Sequence, residues 1–450
     1  MIKSCFIIYS LLLISQMSIG QSLYDSLWGD EQLNKRIEEG IQKNRKGDLT
    51  LRLLNDKGQA LKNVEVHIVQ LKHEFLFGSN LFMLKGFRTE EENKKYEQTF
   101  LSLFNHGSIP FYWKPLEPTQ GNLRFESNSE PIYRRPPPDL VVDFCEKNQI
   151  YPKGHTLVWD NPRWAIPTWL PQKEELIQPL INQRISTIAQ RYGNKIQMWD
   201  VVNEIKNRHM EVVMPKDFAL KAFEQAEENF PKSSILMINE TTSIWYDRKR
   251  EYSFYYMTIE NLLLKKARID AIGLQCHFFH SEEEFRNVVQ GKSMKPKEIF
   301  EVLDTYALFG KPLHITEVTI PTIPNSKEGE ALQAKITKNL YRIWFSYPNV
   351  QSIVWWNIAD GTAAPGEDKW LGGFLREDMT EKPSYQILND LINKEWKSNM
   401  KLKIQQENII SANLFYGKYL ITIIQGKKIF KQEINFTQAG QKELEIQAKF

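Results

Sequence analysis

The chain has 450 residues, more than one small core needs and enough for a barrel of roughly 250–400 residues plus a smaller module. With 42% hydrophobic and 25% charged residues it has the composition of a soluble globular protein. Its net charge of +3, with acids and bases interleaved, offers no basic stripe for nucleic acid and no acidic tail.

Residues 1–20 read as an export signal. Lys3 supplies a positive start, 5–19 are largely apolar, and Ser18-Ile19-Gly20 are small or apolar at the cleavage positions before Gln21. The run is short for a membrane span and no stop-transfer pattern follows, so no span is expected once it is removed; a retained anchor is the alternative. Removal takes Cys5 with it. Cys145 and Cys276 then lie on different predicted elements without metal-type spacing, which favours two buried free thiols over a disulfide or a metal site.

Residues 21–48 are polar and helix-favouring, 31–44 most of all, and predict a leader helix. Leu49-Thr50-Leu51-Arg52-Leu53-Leu54 alternates, Asn55-Asp56-Lys57-Gly58 is a turn signal, and Val64-Glu65-Val66-His67-Ile68-Val69 alternates again, so 49–72 predicts a β-hairpin. From 73 to 397 the pattern changes. Short apolar runs at 75–78, 107–113, 154–159, 196–202, 235–238, 269–275, 312–316 and 353–356 alternate with amphipathic stretches such as 174–190, 217–229 and 328–345. Eight such strands predict an α/β fold of the (β/α)8 TIM-barrel type; an open doubly wound sheet fits the same alternation, but no Gly-rich phosphate loop opens any helix. Residues 398–450 return to β character at 402–404, 414–423, 434–436 and 444–446. A lone hairpin is barely stable, so 49–72 and 398–450 are expected to form one small all-β sandwich beside the barrel.

Barrel active sites lie at the C-terminal ends of the strands. The residues there are Trp113, His155, Trp159, Asn203, Glu204, Asn239, Gln275, His277, Glu317 and Trp356. Two of them are carboxylates, Glu204 after the fourth strand and Glu317 after the seventh. Glycosidic cleavage needs such a pair, one to protonate the leaving oxygen and one to attack the anomeric carbon or activate water. Singly, each acid reads equally as a loop cap or ion-pair member, each histidine as a satisfied core histidine, and Trp159 and Trp356 as caps on the barrel core.

The wording around the pair is more specific. Trp199-Asp200-Val201-Val202-Asn203-Glu204 resembles the acid/base signature of glycoside hydrolase family 10, the endo-β-1,4-xylanase family, and Ile315-Thr316-Glu317-Val318 resembles its nucleophile strand. Gly154-His155-Thr156-Leu157-Val158-Trp159 and Ile272-Gly273-Leu274-Gln275-Cys276-His277 are similar to its third and sixth strands. Trp113 with Glu117-Pro118 and Gly121, and Lys382-Pro383-Ser384-Tyr385, also fit, and the resemblance runs from about 49 to 396. It implies Glu317 as nucleophile and Glu204 as general acid/base with a raised pKa. It implies that Asn203 bonds the sugar 2-hydroxyl, that His277 orients Glu317 with Gln275 nearby, and that His155, Trp159 and Trp356 wall the subsite on the non-reducing side.

The family pattern breaks in one region. Its second-strand Glu-Asn-x-x-Lys-Trp run, whose polar groups grip the next sugar outward, here reads Ser108-Ile109-Pro110-Phe111-Tyr112-Trp113. Asp160 and Pro162 replace a His and a Gln, the aromatic residue expected after Asp360 falls on Gly361-Thr362-Ala363-Ala364, and an Asn-Asp pair becomes Asn239-Glu240. A site that loses such donors loses discrimination for plain hydroxyls, which points to a decorated or different β-linked glycan. The segment 126–139 carries Tyr133-Arg134-Arg135; the arginines either read a carboxylate or sulfate on the substrate or are surface residues of a solvated loop, and the solvated loop is favoured. The leading expectation is an endo-acting retaining β-1,4-glycanase on xylan or a related glycan. The alternatives are an exo-acting or side-chain-selective glycosidase, favoured if Phe111, Tyr112 or 126–139 blocks the outer subsite, and a carbohydrate-binding protein without catalysis. No metal or organic cofactor and no nucleic-acid partner is expected; the partner is a polysaccharide or oligosaccharide, and the protein is expected to be a monomer.

Overall fold

A helix over Glu31–Arg45 precedes the first strand, its N-terminus capped by the Asp30 side chain, which accepts from the Leu33 N–H at 2.7 Å. The computed structural model describes residues 23–279 and 281–450, so the expected export signal at 1–20 lies outside the described residues. The helix buries Ile37, Ile41 and Arg45. Arg45 donates to the carbonyls of Phe345 (2.6 Å), Tyr347 (2.5 Å) and Val350 (2.6 Å), which tie off the end of the helix Lys327–Ser346 and the strand after it.

Two alternating strands follow, β1 (Lys46–Asn55) and β2 (Val64–His73). They do not form the expected hairpin. The turn at 55–58 is present, with the Gly58 N–H on the Asn55 carbonyl, but β1 and β2 are not ladder partners. Their apolar rows, Leu49, Leu51 and Leu53 on one and Val64, Val66 and Ile68 on the other, meet face to face in one core. Each strand has a single apolar side, and facing layers bury both where a flat pair would leave them in water.

The middle of the chain supplies β3 (Leu76–Asn80), β4 (His106–Pro110), β5 (Tyr151–Val158), β6 (Met198–Asn203), β7 (Ile235–Glu240), β8 (Ala271–His277), β9 (Leu313–Thr319) and β10 (Val350–Trp355). All eight pair in parallel and close, β10 against β3, into a barrel with helices such as Glu174–Tyr192, Phe218–Asn229 and Lys327–Ser346 in the connections. This is the expected (β/α)8 barrel. Strands packed inside and out read as unbroken apolar runs, which is why they stood out in the sequence.

The tail adds β11 (Asn399–Ile404), β12 (Ile409–Phe415), β13 (Gly417–Gln425), β14 (Lys428–Phe436) and β15 (Glu443–Ala448). The run 414–423, expected as one strand, is split between two sheets. A three-stranded sheet has the order β12-β1-β15 and a four-stranded one β11-β2-β13-β14. The chain crosses between them at Gly417, where a Cβ would lie 2.0 Å from the Lys72 carbonyl oxygen, a separation no side chain tolerates. Cys145 and Cys276 are buried free thiols, and among the described residues no helix is long and apolar enough to cross a membrane.

Because Arg45 satisfies three carbonyls in a buried position, Arg45→Met should lower the unfolding free energy by about 3 kcal/mol. Urea unfolding of the two proteins measures this; a change within error would show that water replaces the guanidinium without cost.

Candidate active site

The mouth of the barrel is shaped by small irregularities in the ladder. Between β8 and β9, Leu274 pairs with Ile315 but Gln275 pairs with Glu317, so Thr316 is an extra residue. Such a bulge re-aims the side chains beyond it. Glu317 thereby faces inward together with Gln275 and His277, while Thr316 donates from Oγ1 to the Asn239 side-chain oxygen at 2.6 Å. With its oxygen so engaged, the Asn239 amide must point its Nδ2 hydrogens the other way. They go to Asn203 Oδ1 (2.9 Å) and Glu317 Oε1 (3.0 Å). Gly273 permits the arrangement, since a Cβ there would sit 2.4 Å from the same Asn239 oxygen.

Glu204 lies one residue beyond β6 with a φ of 52°, in the left-handed region that non-glycine residues seldom occupy, and its N–H bonds the Asn239 carbonyl at 2.9 Å. Gln275 Nε2 donates to Glu204 Oε1 at 3.2 Å, and His277 Nε2 meets Glu317 Oε2 at 3.2 Å. Burial pushes His277 down to about 4, so its ring is neutral near pH 7. An ionised Glu317 can only accept, which places the ring hydrogen on Nε2 and leaves Nδ1 to accept from the Thr319 hydroxyl at 2.9 Å.

Both carboxyl groups are held above their ordinary range by burial, and their other neighbours differ. Burial, and after it the charge of Glu317, pushes Glu204 up to about 8. Burial pushes Glu317 up to about 7, opposed by His155, by Lys153 and by the Asn239 hydrogen bond. Glu317 therefore ionises first and Glu204 keeps its proton longer. Behind them runs a buried chain. Lys153 Nζ lies 2.8 Å and His155 Nδ1 2.7 Å from Asp200 Oδ2; burial alone would raise the Asp200 carboxyl, but these two partners hold it below its usual value. With Nδ1–H on Asp200, His155 Nε2 accepts from the Tyr112 hydroxyl at 3.1 Å.

Glu204, Glu317, Asn203, His155, Trp159, Gln275, His277, Trp356, Tyr112, Arg134 and Arg135 line one cavity of about 210 Å³. Asn239 is fully buried beneath it. Trp113 is not brought to the cavity. Strand β4 ends at Pro110 and the chain turns into a short helix, Trp113–Leu116, which sends Tyr112 into the cleft and Trp113 away from it, its Nε1 on Glu117 Oε2 at 2.7 Å. The solvated-loop reading of Arg134 and Arg135 also fails, since both are buried in the wall, at 4% and 9% exposure. Phe82, Asn161, Trp164 and Glu367 line the same cavity without having been singled out. Nor were Lys153 and Asp200; a lysine in the middle of an apolar strand was a readable sign of the first. Asp160, one of the departures from the family pattern, pairs with Arg208 at 2.5 Å.

Residues 85–390 match the model of the family described as glycosyl hydrolase family 10. The anti-sigma-I factor RsgI6 of Acetivibrio thermocellus is 23% identical over 420 residues, covering 91% of this chain and 49% of that one. The endo-1,4-beta-xylanase B of Thermotoga neapolitana is 26% identical over 372 residues, covering 78% of this chain and 93% of that one. Native xylanase 10B from Thermotoga maritima superposes with a TM-score of 0.58 at 24% identity, over 72% of this chain and 96% of that one, a likeness of fold. The chain spans only 39% to 59% of the length of several curated relatives that it matches.

Since the Glu317 charge helps to hold the proton on Glu204, Glu317→Gln should lower the Glu204 pKa by on the order of one unit. Carbon-detected NMR titration of carboxyl-labelled glutamate reads it. An unmoved or raised value would mean that the two groups do not sense one another.

Proposed function

The chain belongs to glycosyl hydrolase family 10, and from that premise we propose that it is a retaining glycoside hydrolase cleaving β-1,4-linked xylan or a related decorated β-glycan by double displacement. Glu317 attacks the anomeric carbon to give a covalent glycosyl-enzyme, while Glu204 gives its proton to the departing oxygen. Glu204 then takes a proton from the incoming water, which displaces Glu317 and restores both groups. Such a mechanism needs carboxyl groups about 5–5.5 Å apart, one protonated and one ionised. The observation that carries the reading is that Glu204 and Glu317 open into a single cavity and that their surroundings separate their proton affinities in the required order. Asn203 is assigned to the sugar 2-hydroxyl, His277 and Asn239 to the orientation of Glu317, Gln275 to that of Glu204, and His155, Trp159 and Trp356 to the wall of the retained sugar's site. In this reading residues 73–397 are the catalytic barrel, 49–72 and 398–450 its companion sandwich, and the protein acts as a monomer on a polysaccharide or oligosaccharide.

A second reading, exo-acting release of a terminal unit, is favoured by one feature. The loop after β4 is fastened to the loop after β10 by Tyr133 Oη on the Ala363 carbonyl (3.1 Å) and by Arg134 on the Thr362 carbonyl, which closes one end of the cleft. Products from oligosaccharides of increasing length separate internal cuts from terminal release.

On an aryl glycoside with a good leaving group, Glu317→Ala should lose at least about a thousandfold in kcat/KM, and Glu204→Ala should keep its glycosylation step better. In the unaltered protein kcat/KM should be bell-shaped. It falls on the acid side as Glu317 takes up a proton and on the alkaline side as Glu204 loses its own, and Glu204→Ala should flatten the alkaline limb. Equal losses in the two variants would remove the assignment. Residues 1–20 are proposed as an export signal that directs the protein to the periplasm or the medium. N-terminal sequencing of exported protein should then begin at Gln21, and a chain still starting at Met1 would contradict it.

A further inference from the structure

The closed end of the cleft is lined by two buried arginines that, among the described residues, no carboxylate bridges. Arg134 has a φ of 59°, a strained setting for a side chain, and its guanidinium reaches across to Asn357 Oδ1 at 2.7 Å and to the Thr362 carbonyl. Its Nε is buried without a partner. The Arg135 guanidinium lies over the Tyr112 ring, 4.1 Å from its centre, and among the described residues it donates only to the Arg134 carbonyl, from Nη1 at 2.7 Å. Burial pushes Arg135 down to about 10, which leaves it charged near neutrality. Glu367, on the loop after β10, faces the same cavity and its Oε2 is buried without a partner. Two guanidiniums without a bridging carboxylate leave buried donors unmet at this end of the cavity, where an unpaired charge is costly and a bound counter-charge correspondingly favourable.

The place of this charge relative to the chemistry follows from contacts. Tyr112, beneath Arg135, reaches His155 Nε2 at 3.1 Å, and His155 Nε2 lies 3.9 Å from Glu317 Oε1. The arginines are thus one aromatic ring and one imidazole from the nucleophile. Glu204 must face the departing oxygen, so the leaving unit extends over the loops after β6 and β7 and the retained sugar lies on the Tyr112 side.

We propose that Arg134 and Arg135 bind a single anionic substituent, a carboxylate or a sulfate monoester, on the glycan unit retained at the closed end of the cleft. This rests on the glycosidase reading of the cleft. The planar forks suit either anion, each presenting paired oxygens to parallel N–H groups, and Glu367 is left to accept from neighbouring sugar hydroxyls.

The test is calorimetric binding to the Glu204→Ala protein of xylotriose, of xylotriose carrying one glucuronate, and of xylotriose carrying one sulfate ester. At least one anionic ligand should bind ten times or more tighter than the neutral one, with a preference that shrinks as salt is added. Whichever anion wins identifies the substituent. Adding Arg135→Gln should cut the preference at least tenfold, and Arg135→Lys, which keeps the charge but not the fork, should cut it less. Equal binding of neutral and charged ligands, no binding of any of the three, or loss of both by the same factor in Arg135→Gln overturns the proposal. Failure of the unaltered protein to turn over an activated aryl glycoside would instead overturn the hydrolase reading, which the binding comparison does not depend on.

Discussion

The hydroxyl of Thr316 donates to the side-chain oxygen of Asn239 across 2.6 Å, and the orientation of the amide follows from that bond. An amide whose oxygen is taken has two hydrogens left to place, and they reach Asn203 and Glu317 on adjoining parts of the mouth. Turned over, the amide would set its oxygen against the carboxylate of Glu317 and leave Thr316 facing N–H groups. A bulge in β9 supplies the extra residue that lets Thr316 and Glu317 both take part, and a glycine in β8 supplies the room. The position of Glu317 thus rests on a bulge, a glycine and an amide side chain on three successive strands, which a barrel interior holds rigidly because its packing leaves little slack.

Position alone does not differentiate two carboxyl groups in one cavity. Both are raised by burial, and the difference comes from what stands behind each. Glu317 has the Lys153–Asp200–His155 chain at its back, in which Lys153 and His155 lower its proton affinity and Asp200 raises it. Glu204 has neutral amides and, across the cavity, Glu317 itself. Asp200 touches neither carboxyl in the ladder of hydrogen bonds, yet it fixes the imidazole of His155 and so the direction in which that ring's Nε2 faces.

Much of this was readable beforehand, and the parts that were not share a cause. A strand buried on both sides writes itself as a continuous apolar run, so all eight barrel strands and the strand-end positions of Glu204, Glu317, Asn203, His155, Gln275 and His277 were legible. Alternation says which face of a strand is buried but not which strand lies beside it; β1 and β2 therefore suggested a hairpin when they belong to opposite sheets. The run ending in Tyr112-Trp113 continued past the end of β4, and periodicity gave no sign that the backbone turns at that point. Two arginines in a loop read as solvated because charge is normally exposed, and burial depended on a second loop more than two hundred residues away.

The changes at the closed end are better understood as one substitution than as several. Where family members present polar side chains to the next sugar outward, this chain has Phe111 packed into the core and Tyr112 turned onto His155. Removing those groups without replacement would leave an apolar wall with no purchase on a sugar. The wall is not left so. Tyr112 offers its ring as the surface on which Arg135 lies, and Ala364, standing where an aromatic residue was expected, leaves space that Arg134 and Glu367 face. Neither arginine could be held there without the other changes, since a guanidinium needs both the flat ring under it and the fastened loop carbonyls beside it. The loss of the polar groups and the gain of buried charge are two sides of the same rebuilding of this wall.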